Sequence, residues 1–301
     1  MRLSKWITSL RLILASFVIL LATCQGLQAE ENFLWSVESP GRDSQLYILG
    51  SIHMAREQDY PLNPIIEKAF DDSSFIVVEM DVTATHIIET IEMMTKKGRL
   101  EDKVTLWDLL DDETARGLER CLAKISIPKV VFSNFKPWMA SITLASLMLH
   151  SLGLDGELGV DVHFIKKAKA KNLRIYELET VQEQLGILAD MDDNLSIKLL
   201  KASILEFETK GEEVQAMMDI WRRGDVEAFE ELYFRVYIEH PDLAELLNKT
   251  IFERNQTMFE RLKGHFFPGK KGFVLIGAAH MVGQDSILAK FKEAGFLVTK
   301  Y

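Results

Sequence analysis

Two short stretches of this chain carry one pattern. They are Leu46-Tyr47-Ile48-Leu49-Gly50-Ser51-Ile52-His53-Met54 and Phe273-Val274-Leu275-Ile276-Gly277-Ala278-Ala279-His280-Met281. Each is an apolar run followed by Gly-x-x-His-Met. Strands buried on both faces of a parallel sheet read as continuous apolar runs. Ligands of such sheets bind in the crevice beyond the carboxyl ends of the strands. Glycine at a strand end permits a turn or a close backbone approach. Each His then sits at a loop mouth, and if the two strands are parallel and near each other, both imidazoles face one pocket. Two more apolar runs end in acid. Phe75–Val78 leads into Glu79 and Asp81, and Leu173–Tyr176 leads into Glu177 and Glu179. Two imidazoles with carboxylates at converging strand ends make a plausible divalent-metal set. A carboxylate not used as a ligand can act as general base toward water on that ion. A single strand-Gly-x-x-His is a weak signal. The near-identical second copy is what points to a shared site.

These residues need strands to carry them and helices to cover the strands. Phe33–Val37 and Phe296–Thr299 read as further strands. Helical patterns fill the intervals: Pro61–Phe70, Thr83–Met94, Thr114–Lys124, Lys136–Leu149, Gly159–Ala170, Val181–Asp190, Leu195–Glu208, Glu212–Trp221, Val226–Tyr237, Leu243–Leu262 and Ser286–Glu293. Lys136–Leu149 is apolar nearly all round and reads as a buried helix. Strands alternating with helices at both ends of the chain predict an α/β fold with a mainly parallel central sheet flanked by helices. The stretch from about 100 to 262 is helix-rich with one clear strand, and reads as an inserted helical cap. The expected organisation is a signal peptide over residues 1–29 and a single α/β domain over 30–301.

The ordered motifs resemble the TraB/PrgY/GumN family, which is related to the Tiki membrane metalloproteases. The resemblance spans about Tyr47 to Val298. It rests on Leu49-Gly50-Ser51-Ile52-His53 and on the strand ending Val78-Glu79-Met80-Asp81. It continues through Gly156-Glu157-Leu158-Gly159-Val160-Asp161 and Leu178-Glu179-Thr180-Val181-Gln182-Glu183-Gln184. Arg254-Asn255 and Gly277-Ala278-Ala279-His280-Met281-Val282-Gly283 complete it. The resemblance implies that His53 and His280 belong to a metal site, with Glu79 as ligand or general base. Glu157, Asp161 and Glu179 would lie around the pocket with Gly50, Ser51 and Gly277. Arg254 and Asn255 would bind substrate or stabilise an oxyanion. Ser51, Met54 and Met281 depart from the family's usual Thr and Leu, yet keep a hydroxyl and apolar side chains. The implied activity is that of a metal-dependent, peptidase-like hydrolase acting on a peptide or small molecule, with Mn, Co or Zn as the ion. The alternative within the same fold is a non-catalytic peptide-binding or envelope-associated protein.

Composition narrows the rest. The 301 residues are 48% hydrophobic and 27% charged, enough for a sizeable core, and the formal net charge of -10 disfavours nucleic acid and anionic lipid as partners. Lys166, Lys167, Lys169 and Lys171 fall at a helix end, where the dipole favours cations. Arg2, Lys5 and Arg11 precede the apolar run Leu12–Ala22, the pattern of a secretory signal. That run falls short of the ~20 residues a membrane-spanning helix needs. Ala29 offers a cleavage position, so export to the periplasm or medium is expected. Leu21-Ala22-Thr23-Cys24 offers a weaker lipoprotein box, so the expected membrane association is a lipid anchor at Cys24. The chain has two cysteines. With Cys24 removed, Cys121 is alone and no internal disulfide forms. Gly264–Lys270 has phosphate-loop spacing, but Lys271 replaces the magnesium-holding hydroxyl and a strand follows in place of a helix. Trp138, Met139 and Met148 read as core. His86, His150, His163, His240 and His265 read as structural or surface residues.

Overall fold

The six apolar runs pair into one sheet of order β4-β3-β5-β2-β1-β6 in a computed structural model of the chain. The strands are β1 (Leu34–Glu38), β2 (Gln45–Ser51), β3 (Phe75–Val78), β4 (Arg174–Glu177), β5 (Lys271–Gly277) and β6 (Leu297–Lys300). The structure describes residues 31–301 apart from Arg42, Ala84, Thr85, Lys210 and His240. The expected signal peptide and the Cys24 box therefore lie outside the described residues, as does His240. Asn32–Tyr301 forms one unit, and it alone is described below. Among the described residues no helix is long and apolar enough to cross a membrane.

The sheet is mixed and mostly parallel, as an α/β fold requires. β2 runs parallel to β5, and β3 runs parallel to both β5 and β4. β1 is antiparallel to β2 and to β6 at the other edge. β3 is buried along its whole length and β5 at every residue after Lys271. Leu173–Tyr176 departs from the expectation of a buried strand. β4 forms the sheet edge, and its terminal residues Arg174 and Glu177 are exposed.

Aromatic contacts place two helices against the sheet. Phe273 on β5 meets Phe70 at 5.6 Å and Phe164 at 4.9 Å between ring centroids. Phe70 belongs to the helix Pro64–Asp71 and Phe164 to the helix Val160–Ala170. Aromatic pairs of this kind contribute about 0.5–1.5 kcal/mol beyond their buried area. Pro61–Phe70 shortens to Pro64–Asp71 because Asn63 caps the first turn, its side chain accepting the Ile65 N–H, with proline next.

The helix-rich middle has a core of its own. Leu118, Cys121, Leu122, Phe132, Leu144, Met148, Leu200 and Phe207 pack together, away from the sheet. The apolar helix Pro137–Ser151 lies against Asp193–Glu208 there, and Ser141 Oγ bonds Ser203 Oγ at 2.7 Å. The expected single helix Leu243–Leu262 is interrupted. Ala244–Leu247 is α-helical, Asn248–Phe252 is a π-turn, and Glu253–Leu262 resumes the α-helix.

Candidate functional site

The parallel pairing of β2 with β5 puts Ser51 beside Gly277, so the two Gly-x-x-His turns leave the sheet at the same edge. β3 lies on the far side of β5 and delivers Glu79 to that edge. The backbone of the following segment runs alongside, Leu178 N–H and Glu179 N–H both reaching the carbonyl of Glu79. Glu79 and Glu179 are thereby neighbours on adjoining strand extensions.

Each imidazole is held through its Nδ1. His53 Nδ1 donates to Asp161 Oδ2 at 2.7 Å, and Asp161 stands in the first turn of the helix Val160–Ala170 with its other oxygen accepting the Val162 N–H. His280 Nδ1 lies 2.6 Å from Asn255 Oδ1. Asn255 is fully buried, and its Nδ2 donates to the carbonyl of Asp285 at 2.9 Å. That bond fixes which end of the amide faces His280, so His280 carries its proton on Nδ1 and leaves a lone pair on Nε2. His53 presents its Nε2, and His280 its Cδ2 edge, to the space beside Gly277.

Gly277 marks where they meet. A Cβ placed on it would stand 3.3 Å from Glu79 Oε1, 3.6 Å from His280 Cδ2 and 3.7 Å from His53 Nε2. The glycine keeps open a small space that a carboxylate and two imidazoles border. Gly159 permits a second close approach. A Cβ there would lie 2.4 Å from the His53 carbonyl oxygen, and Val160 N–H donates to the Ile52 carbonyl at 2.9 Å. The loop that carries Asp161 is in this way fastened to the loop that carries His53.

Charge around the space is balanced by one guanidinium. Arg254 Nε and Nη2 take Glu179 Oε1 and Oε2 at 2.9 and 2.6 Å, and Nη2 also reaches Glu79 Oε2. Gln184 Nε2 bridges both carboxylates at 3.1 Å. Gly277 N–H donates to Glu79 Oε1 at 2.6 Å. Burial works against charge on Glu79. Its neighbours His280, Arg254 and His53 and the Gly277 amide outweigh burial and hold its carboxyl down at about 2. Burial dominates His280, which falls to about 4 and is neutral near pH 7. For His53 burial also pulls downward, but the bond to Asp161 and the charges of Asp161 and Glu79 raise it to about 9. With 61% of its side chain exposed, His53 opens to solvent, which screens part of that shift.

The structure brings together His53, Asp161, Glu79, Glu179, Arg254, Asn255, His280 and Gly277. Gly50 and Ser51 lie at the end of β2 beneath them, the Gly50 carbonyl accepting Trp221 Nε1–H at 2.7 Å. Glu157 stands apart: its exposed side chain pairs with Lys166 at 2.7 Å. Asp81 and Glu177 belong to another group, in which Glu177 Oε1 accepts from the Asp81 N–H and from His86, and Asp81 pairs with Lys169. Gln184 had no assigned role in the sequence, although it lies five residues beyond Glu179. Its capping-box neighbours Thr180 and Glu183 were the available signal that a helix begins there and turns it inward.

The donor chemistry suits a divalent ion once His53, which Asp161 and Glu79 keep protonated, gives up its Nε2 proton to it. A neutral imidazole, a second imidazole and an ionised carboxylate border one space, and both rings are oriented by second partners as metal-binding histidines usually are. Among the described residues no three such side chains close into a ready metal cage. The carboxylate is drawn instead to Arg254 and Gly277.

Comparison with known proteins gives relatives across nearly the whole described chain. The uncharacterized protein YbaP of Escherichia coli (strain K12) is 22% identical over 259 residues, covering 85% of this chain and 92% of its own. YbaP of Shigella flexneri is 22% identical, covering 80% and 85%. Metalloprotease TIKI1 of Xenopus tropicalis is 22% identical, covering 88% of this chain and 60% of its own. No solved structure matches. The TraB/PrgY/gumN family model matches residues 33–300, and the chain belongs to that family.

Proposed function

We propose that this protein is a metal-dependent hydrolase of peptide-like amides that acts outside the cytoplasm. The observation that carries the proposal is the paired tethering of His53 and His280. Asp161 and Asn255 hold the two Nδ1 atoms, which leaves each Nε2 free for an ion, and both rings border the space at Gly277 with Glu79. The relative named a metalloprotease supports the reaction class. The basic, then apolar N-terminal sequence supports the location.

His53, His280 and Glu79 would hold the ion. Bound there, a divalent metal supplies Lewis acidity that polarises the scissile carbonyl and makes water nucleophilic near neutral pH. Hydrolysis adds the water oxygen to the carbonyl carbon, breaks the C–N bond and passes a proton to the departing nitrogen. Glu79 suits ligation better than proton abstraction, because a carboxyl held near 2 is a weak base at pH 7. Arg254, Glu179 and Gln184 fix that carboxylate. Asn255 spends both ends of its amide on His280 and Asp285, and so positions the imidazole.

A second reading, capture of a peptide without turnover, is favoured by the same saturation. Most Arg254 donors and both Glu79 oxygens are already engaged within the protein. Elemental mass spectrometry of the purified chain beside His53→Ala and His280→Ala decides on the metal. Near-stoichiometric metal in the parent, lost in both variants, is expected. Metal retained in the double variant would sink the site. Incubation with mixed peptides, with and without Mn²⁺, Co²⁺ or Zn²⁺, then separates turnover from capture.

A further inference from the structure

A cavity of about 540 Å³ lies beside the His53 loop, with Arg56, His150 and Asp155 among its lining residues. That volume is within the ~300–1,000 Å³ common for small-ligand sites. One wall is the segment that directly follows His53, and another directly precedes Asp161. The two walls are laced together: Ala55 N–H donates to the Asp155 carbonyl at 3.1 Å, and Asp155 N–H returns to the Ala55 carbonyl at 2.9 Å. Three residues of chain reach at most about 10 Å, so the Arg56 backbone stays within that distance of His53.

Arg56 is the unusual member. Among the described residues no carboxylate forms an ion pair with its guanidinium, and its Nε is sealed from solvent without a hydrogen-bond partner. Of the neighbouring acids, Asp59 and Asp155 are engaged elsewhere, while the exposed Glu57 forms no ion pair with Arg56. Asp59 Oδ1 takes Arg222 Nε at 2.7 Å, while Asp59 Oδ2 accepts only the backbone N–H of Arg56. Asp155 Oδ1 accepts the Glu157 N–H at 2.8 Å. An arginine that lines a cavity without an ion-pair partner is complementary to a carboxylate. The acids Glu57 and Asp155 on the same lining favour a singly charged guest over a phosphate.

We infer that this cavity receives the free carboxyl end of a peptide and that Arg56 binds that carboxylate. The inference rests on the hydrolase reading for its consequence. A peptide ending at Arg56 brings one of its last few peptide bonds within reach of His53, so short C-terminal pieces would be the products. Arg56 is thus a specificity determinant and stands outside the metal set.

The test uses the full chain and a mixed tripeptide library in two forms, one with free carboxyl ends and one amidated. Retention on the protein and cleavage with added Mn²⁺, Co²⁺ or Zn²⁺ are both read by mass spectrometry. The parent is expected to retain free acids at least tenfold better than amides. Arg56→Gln should erase the difference and Arg56→Lys should keep part of it, with melting curves showing that both variants fold. A parent that treats acids and amides alike overturns the inference, and that comparison needs no variant. A preference that survives Arg56→Gln overturns it as well. Equal cleavage of both libraries defeats the carboxylate site and leaves the hydrolase reading standing. Selective retention of free acids without cleavage under any metal supports the carboxylate site and defeats turnover.

Discussion

Asn255 and Glu79 show how far one side chain can set the chemistry of another. Asn255 has no surface exposure and fixes the tautomer of His280. Asn255→Leu removes that partner at nearly constant volume. Metal affinity should fall roughly 10–100-fold, the usual cost of losing an orienting partner. A competition titration against a chelator measures it, and an unchanged affinity would argue that His280 is not a ligand. Glu79 gives a pH signature. Its folded-state pKa of about 2 lies below the ordinary 4.5, so the fold favours its ionised form. The associated stability is present above pH 4.5 and is lost as pH falls toward 2. It amounts to about 3 kcal/mol. Melting curves between pH 6 and 2 should steepen in the parent and flatten in Glu79→Gln. Parallel curves would contradict the ionised assignment. His53, His280, Glu79, Asp161 and Glu179 were legible in the sequence because each follows a recognisable strand end or motif. Glu157 lies in the same motif as Asp161 but faces solvent, because the short helical turn Gly156–Leu158 sets its direction, and side-chain spacing does not reveal that phase.

At the scale of elements, strands were read more accurately than helix interiors. An apolar run such as Phe75–Val78 matches β3 residue for residue, since burial on both faces leaves little else to encode. The stretch Leu243–Leu262 looked like one helix because its apolar spacing is continuous. Its π-turn at Asn248–Phe252 depends on hydrogen bonding that side-chain pattern does not record. The turn has a consequence for the site. One residue of an α-helix corresponds to about 100° of rotation, and five π residues turn about as far as four α residues, so the π-turn absorbs one extra residue while the helix that carries Arg254 and Asn255 keeps its phase. Deleting Lys249, whose side chain is 42% exposed, should restore regular helix and leave both residues in phase. The expected variant folds, with near-parental far-ultraviolet dichroism, and keeps metal binding. Lost binding in the folded deletion would mean that the π-turn itself has a part in placing them.

For the whole molecule, stability comes from a large core at the sheet, a separate core in the helical middle and two smaller clusters among the described residues. The described residues contain one free cysteine, Cys121, buried in the helical core. Burial pushes its thiol up to about 11, so it should stay protonated and unreactive. A thiol reagent should label it only after denaturation, and prompt labelling of the native chain would show that the helical core opens readily. The α/β class and the helical middle were evident from the order of patterns along the chain. The separate core was not, because it depends on which helices meet.

The position of β5 also constrains how the protein comes into being. β5 lies between β3 and β2, yet it is formed almost last along the chain. Until it emerges, β1 and β2 have no route to β3 and β4, and two edges of apolar backbone wait without their shared neighbour. Such distant pairings are slow, and unpaired edges invite aggregation. A chain that stops before Lys271 would therefore lack His280 and also leave its sheet in two fragments. Synthesis must reach the last strands before the molecule can become either a stable fold or a working site.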